Sequence, residues 1–293
     1  NKVDERVKMS SPVRIGGDTL QRVFEVFTNS YGRFGARETL LGAAKLGLKH
    51  MELGLWSVPA PDVEPLPGAH PLSMIGERTT PEQLEEFKSL AKENGIRIIS
   101  AFGHGDLRTD EGVEILRQQM DIAEELGVRF YTVSVPERSS TVYDNLLKLA
   151  DYALARGMII CLETHPPLVP DAAGGLQTMR DLKHSNIRIN FDTANLYYYN
   201  EDIDIVAELE GLVEYVVHVH LKDSRRKYQD WYFPALGEGN IDFPAIFRVF
   251  DQVGFRGPFS LELEGIAGEE RTLELHHGRV KRSLEYLREI GVY

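Results

Sequence analysis

The sequence predicts an α/β fold, a single-domain (β/α)8 TIM barrel, and three observations carry the prediction. Eight short apolar runs recur along the chain, each followed by a segment of helical periodicity. Several runs are near-continuous Val, Ile and Leu, as in strands of a parallel sheet covered on both faces. No composition shift and no Ser-, Gly- or Pro-rich linker divides the 293 residues. Eight such units with right-handed crossovers close into a barrel, which typically takes about 250 residues as one domain. A doubly wound open sheet is the rival, and it lacks the glycine-rich phosphate loop it would need after the first strand.

The elements follow in order. Asn1 to about Asp18 reads as an N-terminal extension and 19–293 as the barrel. The first strand is the short apolar run Phe24-Val26-Phe27, and Leu40, Leu41, Ala44 and Leu46 mark the helix after it. His50 to Leu53 is the second strand, followed by a long loop over 57–79 rich in proline, a length that usually signals function. Thr80 suits a helix N-cap and Pro81 its first turn. The remaining strands are expected at 96–102, 128–135, 158–162, 187–191, 215–221 and 259–263. The helices between and after them are expected at 110–126, 142–156, 176–183, 203–212, 244–253 and 272–290.

Charge and composition exclude several function classes. Asp and Glu number 45 against 33 Lys and Arg, a net charge of -12. That balance argues against nucleic acid and against an anionic membrane surface, both of which call for clustered cations. No run of about 18 apolar residues is present, so no membrane span is expected. Cys161 is the only cysteine, so no intramolecular disulfide forms, which suits the cytoplasm. The chain begins at Asn, and a leader ahead of it is left open.

Barrel enzymes carry their chemistry at the C-terminal ends of the strands. The fifth strand runs into Glu163-Thr164-His165, the sixth into Asp192-Thr193-Ala194-Asn195, the seventh into His218-Val219-His220-Leu221-Lys222-Asp223 and the eighth into Glu262-Leu263-Glu264. Glu163, Asp192 and His220 follow one another at about 30 residues, one strand-helix unit, and Glu262 comes after a longer gap. Side chains alternate along a strand, so Glu163 pairs in face with His165 and Glu262 with Glu264. His220 likewise shares a face with His218, which should sit one layer deeper with a structural role. Cys161 falls on the inner face below Glu163 and reads as core. Three carboxylates meeting in a small cavity need a cation or raised pKa values. One divalent ion held by Glu163, Asp192, His220 and Glu262 answers this. The donor set suits Mn²⁺ first, with Mg²⁺, Co²⁺ or Zn²⁺ as alternatives.

These segments, with Leu236 to Phe243, resemble the xylose isomerase-like barrel superfamily of sugar isomerases and epimerases, inosose and dehydroshikimate dehydratases and endonuclease IV, over about Arg22 to Leu287. The resemblance implies that Glu163, Asp192, His220 and Glu262 bind one divalent metal and that Glu163 and Glu262 are the catalytic acid and base. It implies His220, not His218, as the ligand, and Arg226 as a contact to substrate hydroxyls. Asn195 departs from the pattern, since many relatives carry His there, and Asn cannot shuttle a proton. That absence and the acidic charge count against a nuclease.

The expected activity is a metal-dependent sugar or polyol isomerase or epimerase, working by proton abstraction next to a carbonyl through an enediolate. The alternatives are a lyase of the same superfamily, a dehydratase or carbon-glycoside-cleaving enzyme, and a non-catalytic carbohydrate-binding barrel. A lyase needs an added general acid, for which His104 and His165 are candidates. The expected partner is a small carbohydrate, somewhat more naturally a free sugar than a phosphate. Candidate substrate contacts are His104, His165, Asn195, Lys222, Arg226 and Glu264, with Trp56 and Trp231 on the loops after the second and seventh strands. Aromatic residues and arginines also suit contacts between copies, so a homo-oligomer is allowed.

Overall fold

A computed structural model describes residues 21–56 and 64–293; the expected extension and residues 57–63 of the proline-rich loop lie outside them. Eight parallel strands close into a barrel in the order β1-β2-β3-β4-β5-β6-β7-β9. They are β1 (Phe24–Phe27), β2 (His50–Leu55), β3 (Arg97–Gly103), β4 (Phe130–Val133), β5 (Ile159–Glu163), β6 (Ile187–Asp192), β7 (Val216–Leu221) and β9 (Phe259–Leu261). The remaining two, β8 (Tyr232–Phe233) and β10 (Gly265–Ile266), form a separate antiparallel ribbon. The closure joins β1 to both β2 and β9, so Val26 pairs with Met51 on one side and Leu261 on the other. Every residue of β1, β2 and β4 is buried, including Glu25, His50 and Glu52.

The helices are α1 (Gly35–Lys45), α2 (Pro81–Glu93), α3 (Asp110–Leu126), α4 (Ser140–Ala155), α5 (Ala172–Leu182), α6 (Asn195–Tyr199), α7 (Ile205–Leu212), α8 (Phe243–Gln252) and α9 (Leu273–Glu289). The expected elements are present, with two kinds of correction. Strands four and eight stop earlier than expected, at Val133 and Leu261. The short helix α6 was not expected; Asp192 seeds it by accepting the backbone N–H groups of Ala194 and Asn195. Among the described residues, no helix is long and apolar enough to cross a membrane.

The Thr80-Pro81 start forms a full capping box. The Thr80 hydroxyl accepts from Gln83 N, and the Gln83 side chain accepts from Thr80 N at 2.9 Å. Thr80→Ala is expected to cost about 1 kcal/mol in a denaturant melt, and an unchanged midpoint would show that Pro81 alone fixes the helix start.

One residue organises the loop after β7. Asp223 accepts the backbone N–H groups of Ser224, Gly237, Gly239 and Ile241. A side chain at Gly239 would lie 2.2 Å from Asp223 Oδ1, so only glycine lets the backbone come this close. The segment Leu236 to Phe243 therefore serves as the carboxylate's socket.

Candidate metal and active site

Glu163 and Asp192 are the last residues of β5 and β6, His220 is the penultimate residue of β7, and Glu262 follows β9 directly. Neighbouring strands bring them into register: Asp192 pairs with His220, and His220 with Ser260. His220 Nδ1 stands 2.8 Å from Glu163 Oε1 and 3.0 Å from Glu262 Oε2. One ligand atom from each of the four residues lies within 4.8 Å of all the others. That spacing admits a single divalent ion at ordinary bond lengths of roughly 2.0–2.6 Å.

Two buried oxygens test the fit. Asp192 Oδ1 is clamped by its two backbone donors at 2.7 Å, while Oδ2 has no hydrogen-bond partner. Glu262 Oε1 accepts from Asn29 Nδ2 at 2.9 Å, while its Oε2 is also left without one. Both oxygens belong to proposed ligands and face only ion-pair partners: Lys222 Nζ at 3.2 Å from Asp192 Oδ2 and 2.8 Å from Glu262 Oε2, and His220 Nδ1 at 3.0 Å from the latter. Burial, reinforced by Glu262 and Glu163 and opposed by Lys222, pushes Asp192 up to about 8. Carboxylates crowded in this way ionise together only beside a cation.

Lys222 is 2% exposed. Its ammonium stands 2.7 Å from Glu264 Oε2, 2.8 Å from Glu262 Oε2 and 3.2 Å from Asp192 Oδ2. It also donates to Asn195 Oδ1. Burial disfavours the charge, but Asp192, Glu262 and Glu264 outweigh it and hold the lysine above its ordinary value. Of the substrate-contact candidates, Lys222, Asn195 and Glu264 thus form one polar knot with the ligand set.

The other candidates lie around it. His165 lines, with Glu163, Phe102, Asp106, Arg108 and Leu162, a cavity of about 510 Å³, a size that suits a small ligand. Trp56 stacks on His104 with ring centroids 3.4 Å apart, and Phe102 lies 4.9 Å from the same ring. His104 Nδ1 donates to the Leu55 carbonyl, and desolvation pushes the ring down to about 4, so it is a neutral imidazole. Arg226 and Trp231 are exposed and pack on aromatic neighbours: the guanidinium lies 5.0 Å from the Tyr197 ring, and Trp231 meets Tyr198 edge-on.

A second, deeper layer was missed in the sequence. His218 Nε2 is 2.9 Å from Glu25 Oε1, and its Nδ1 donates to Asn190 Oδ1. His220 Nε2 is 2.9 Å from Glu52 Oε2. His218, Glu25, Glu52 and Asn190 are fully buried, as is Cys161, whose thiol burial raises. The depth expected for His218 and Cys161 agrees with this. A signal for the two glutamates existed: each is a lone carboxylate inside an apolar strand, a placement too costly to leave unpaired.

Three comparisons bear on this geometry. A family model described as xylose isomerase-like TIM barrel matches residues 41–290. The L-ribulose-5-phosphate 3-epimerase UlaE of Salmonella paratyphi C is 24% identical over 218 residues, covering 68% of this chain and 75% of that protein. The D-allulose 3-epimerase of Methylomonas sp. superimposes with a TM-score of 0.68 at 19% identity, over 92% of this chain and 98% of the other. A xylose isomerase-like TIM barrel protein from Mycobacterium smegmatis, solved in complex with magnesium, superimposes with a TM-score of 0.68 at 14% identity, over 93% and 97%.

Proposed function

We propose that this chain, which belongs to the xylose isomerase-like TIM barrel family, is a divalent-metal-dependent sugar epimerase or isomerase that begins by removing a proton next to a carbonyl. The observation that carries the reading is the convergence of one ligand atom from each of Glu163, Asp192, His220 and Glu262 within 4.8 Å of one another. Mn²⁺ is the ion we assign first, on the oxygen-rich donor set. A bound divalent ion would supply Lewis acidity at a carbonyl and its neighbouring hydroxyl and so make the adjacent C–H more acidic. Glu163 faces the cavity, and Glu262 is buried against Lys222 and Asn29. Two carboxylates in such unlike surroundings divide the work, one taking the proton and the other returning one. Lys222 keeps Glu262 and Glu264 oriented while they do so. Trp56 offers a flat apolar face toward a sugar, and Arg226 offers N–H donors to sugar hydroxyls.

Two relatives named above are 3-epimerases of ketoses or their phosphates, so inversion at C3 of a ketose is the first reaction to test. The ketose C3–H lies next to the C2 carbonyl, as the proposed chemistry requires. A lyase reading is weaker. His104, one of its candidate acids, is neutral with its only proton committed to the Leu55 carbonyl. Incubation of Mn²⁺-loaded protein with ketopentoses, ketohexoses and their phosphates in deuterated water should place deuterium at C3 of both epimers, read by mass and proton NMR. Turnover without exchange, and without a primary isotope effect on C3-deuterated substrate, would favour a hydrolase using metal-bound water instead.

A further inference from the structure

We infer that Glu52 is a positioning residue that selects the metal-binding tautomer of His220, an inference that rests on the four-ligand reading above. An imidazole coordinates through one nitrogen only when that nitrogen carries no proton, and the partner of the other nitrogen decides where the proton sits. Nδ1 of His220 faces Glu163 and Glu262, and Nε2 faces Glu52 Oε2 at 2.9 Å. A carboxylate accepts and cannot donate, so Glu52 holds a proton on Nε2; without an ion Nδ1 also donates, to Glu163 and Glu262, and a divalent ion held among those oxygens would displace that second proton and take the Nδ1 lone pair.

The surroundings lock this arrangement. Phe27 stacks on the His220 ring with centroids 5.4 Å apart and an interplanar angle of 20°. Asn190 Nδ2 is nearly equidistant from both ring nitrogens, at 3.3 and 3.2 Å, which places it over the ring and not in its plane. Asn190 is in turn fixed by His218, which donates to its Oδ1. Ring rotation is therefore blocked, and Glu52 alone addresses Nε2 among the carboxylates within ion-pair range. Glu52 Oε1 has no hydrogen-bond partner, and Oε2 meets the His220 imidazole at 2.9 Å and that of His218 only at 3.9 Å, so His220 is the main interaction that offsets the burial of this carboxylate.

The tautomer can be read directly on the wild-type chain. Histidine labelled with ¹⁵N, in protein loaded with diamagnetic Zn²⁺ or Mg²⁺, should show His220 protonated at Nε2 and metal-bound at Nδ1, with the signals assigned by their loss in His220→Asn. Glu52→Gln should weaken binding of the same ions by about 10–100-fold in calorimetric titration, and Glu52→Asp should recover part of the loss. Affinity of Glu52→Gln within threefold of wild type, or a proton on Nδ1 in the loaded protein, overturns the inference while leaving the ligand set standing. Wild-type protein that binds no divalent ion overturns the ligand reading itself, and this inference with it.

Discussion

His220→Ala is expected to lower divalent-metal affinity by more than about 100-fold, beyond what loss of an outer partner costs, and to abolish turnover. His218→Ala is expected to keep the metal and lose stability. The two rings lie on the same face of β7, but only His220 meets Glu163 and Glu262. His218 is spent on Glu25 and Asn190. Its removal leaves Glu25 buried beside a void, and breaking a buried pair from one side costs roughly 3–5 kcal/mol. Calorimetric metal titration and thermal melts of both variants separate the outcomes. Metal loss confined to His218→Ala would show that the deeper layer, with Glu52, is the true metal site.

Glu163→Gln and Glu262→Gln should each cut epimerisation by about 10²–10⁴, the usual contribution of a positioned acid or base. Both residues are proposed ligands, so the comparison requires saturating metal. With two bases on opposite faces of the substrate, each variant keeps the base for one epimer. One variant should still exchange deuterium into the first epimer without converting it, and the other should do the same for the second. Both variants epimerising within tenfold of wild type would remove the glutamates from the proton-transfer steps.

The barrel and the convergence of the four proposed ligands were legible for one physical reason. A strand-helix unit has nearly constant length, so residues a unit apart end on neighbouring strands and at the same height. Glu163, Asp192 and His220 announce themselves in this way. Glu25 and Glu52 do not, because their partners are 193 and 168 residues away and become neighbours only when the closed barrel sets β1 and β2 across its interior from β7. Asn29 was hidden for the same reason, its contacts being Glu262 and Glu264 across the barrel seam. Helix α6 escaped notice because its start depends on the Asp192 carboxylate and not on the periodicity of Asn195 to Tyr199. Lys222 was read as a loop residue turned toward substrate, and its burial among three carboxylates follows from ligand positions that only the closed barrel defines.

The small ribbon of β8 and β10 constrains how this barrel could be re-engineered. Phe233 pairs with Gly265 and Tyr232 with Ile266, so the segment bearing Arg226 and Trp231 is stitched to the stretch that follows Glu262 and Glu264. Phe233 also packs against the Lys222 ammonium at 5.1 Å. A graft that exchanges only the loop after β7 would leave one strand of the stitch unmatched and disturb Lys222 and the Glu262 carboxylate paired with it. Altered sugar preference would have to be transplanted as a two-piece cassette, 225–236 together with 263–269, and recombination between those pieces should yield mostly inactive chimeras.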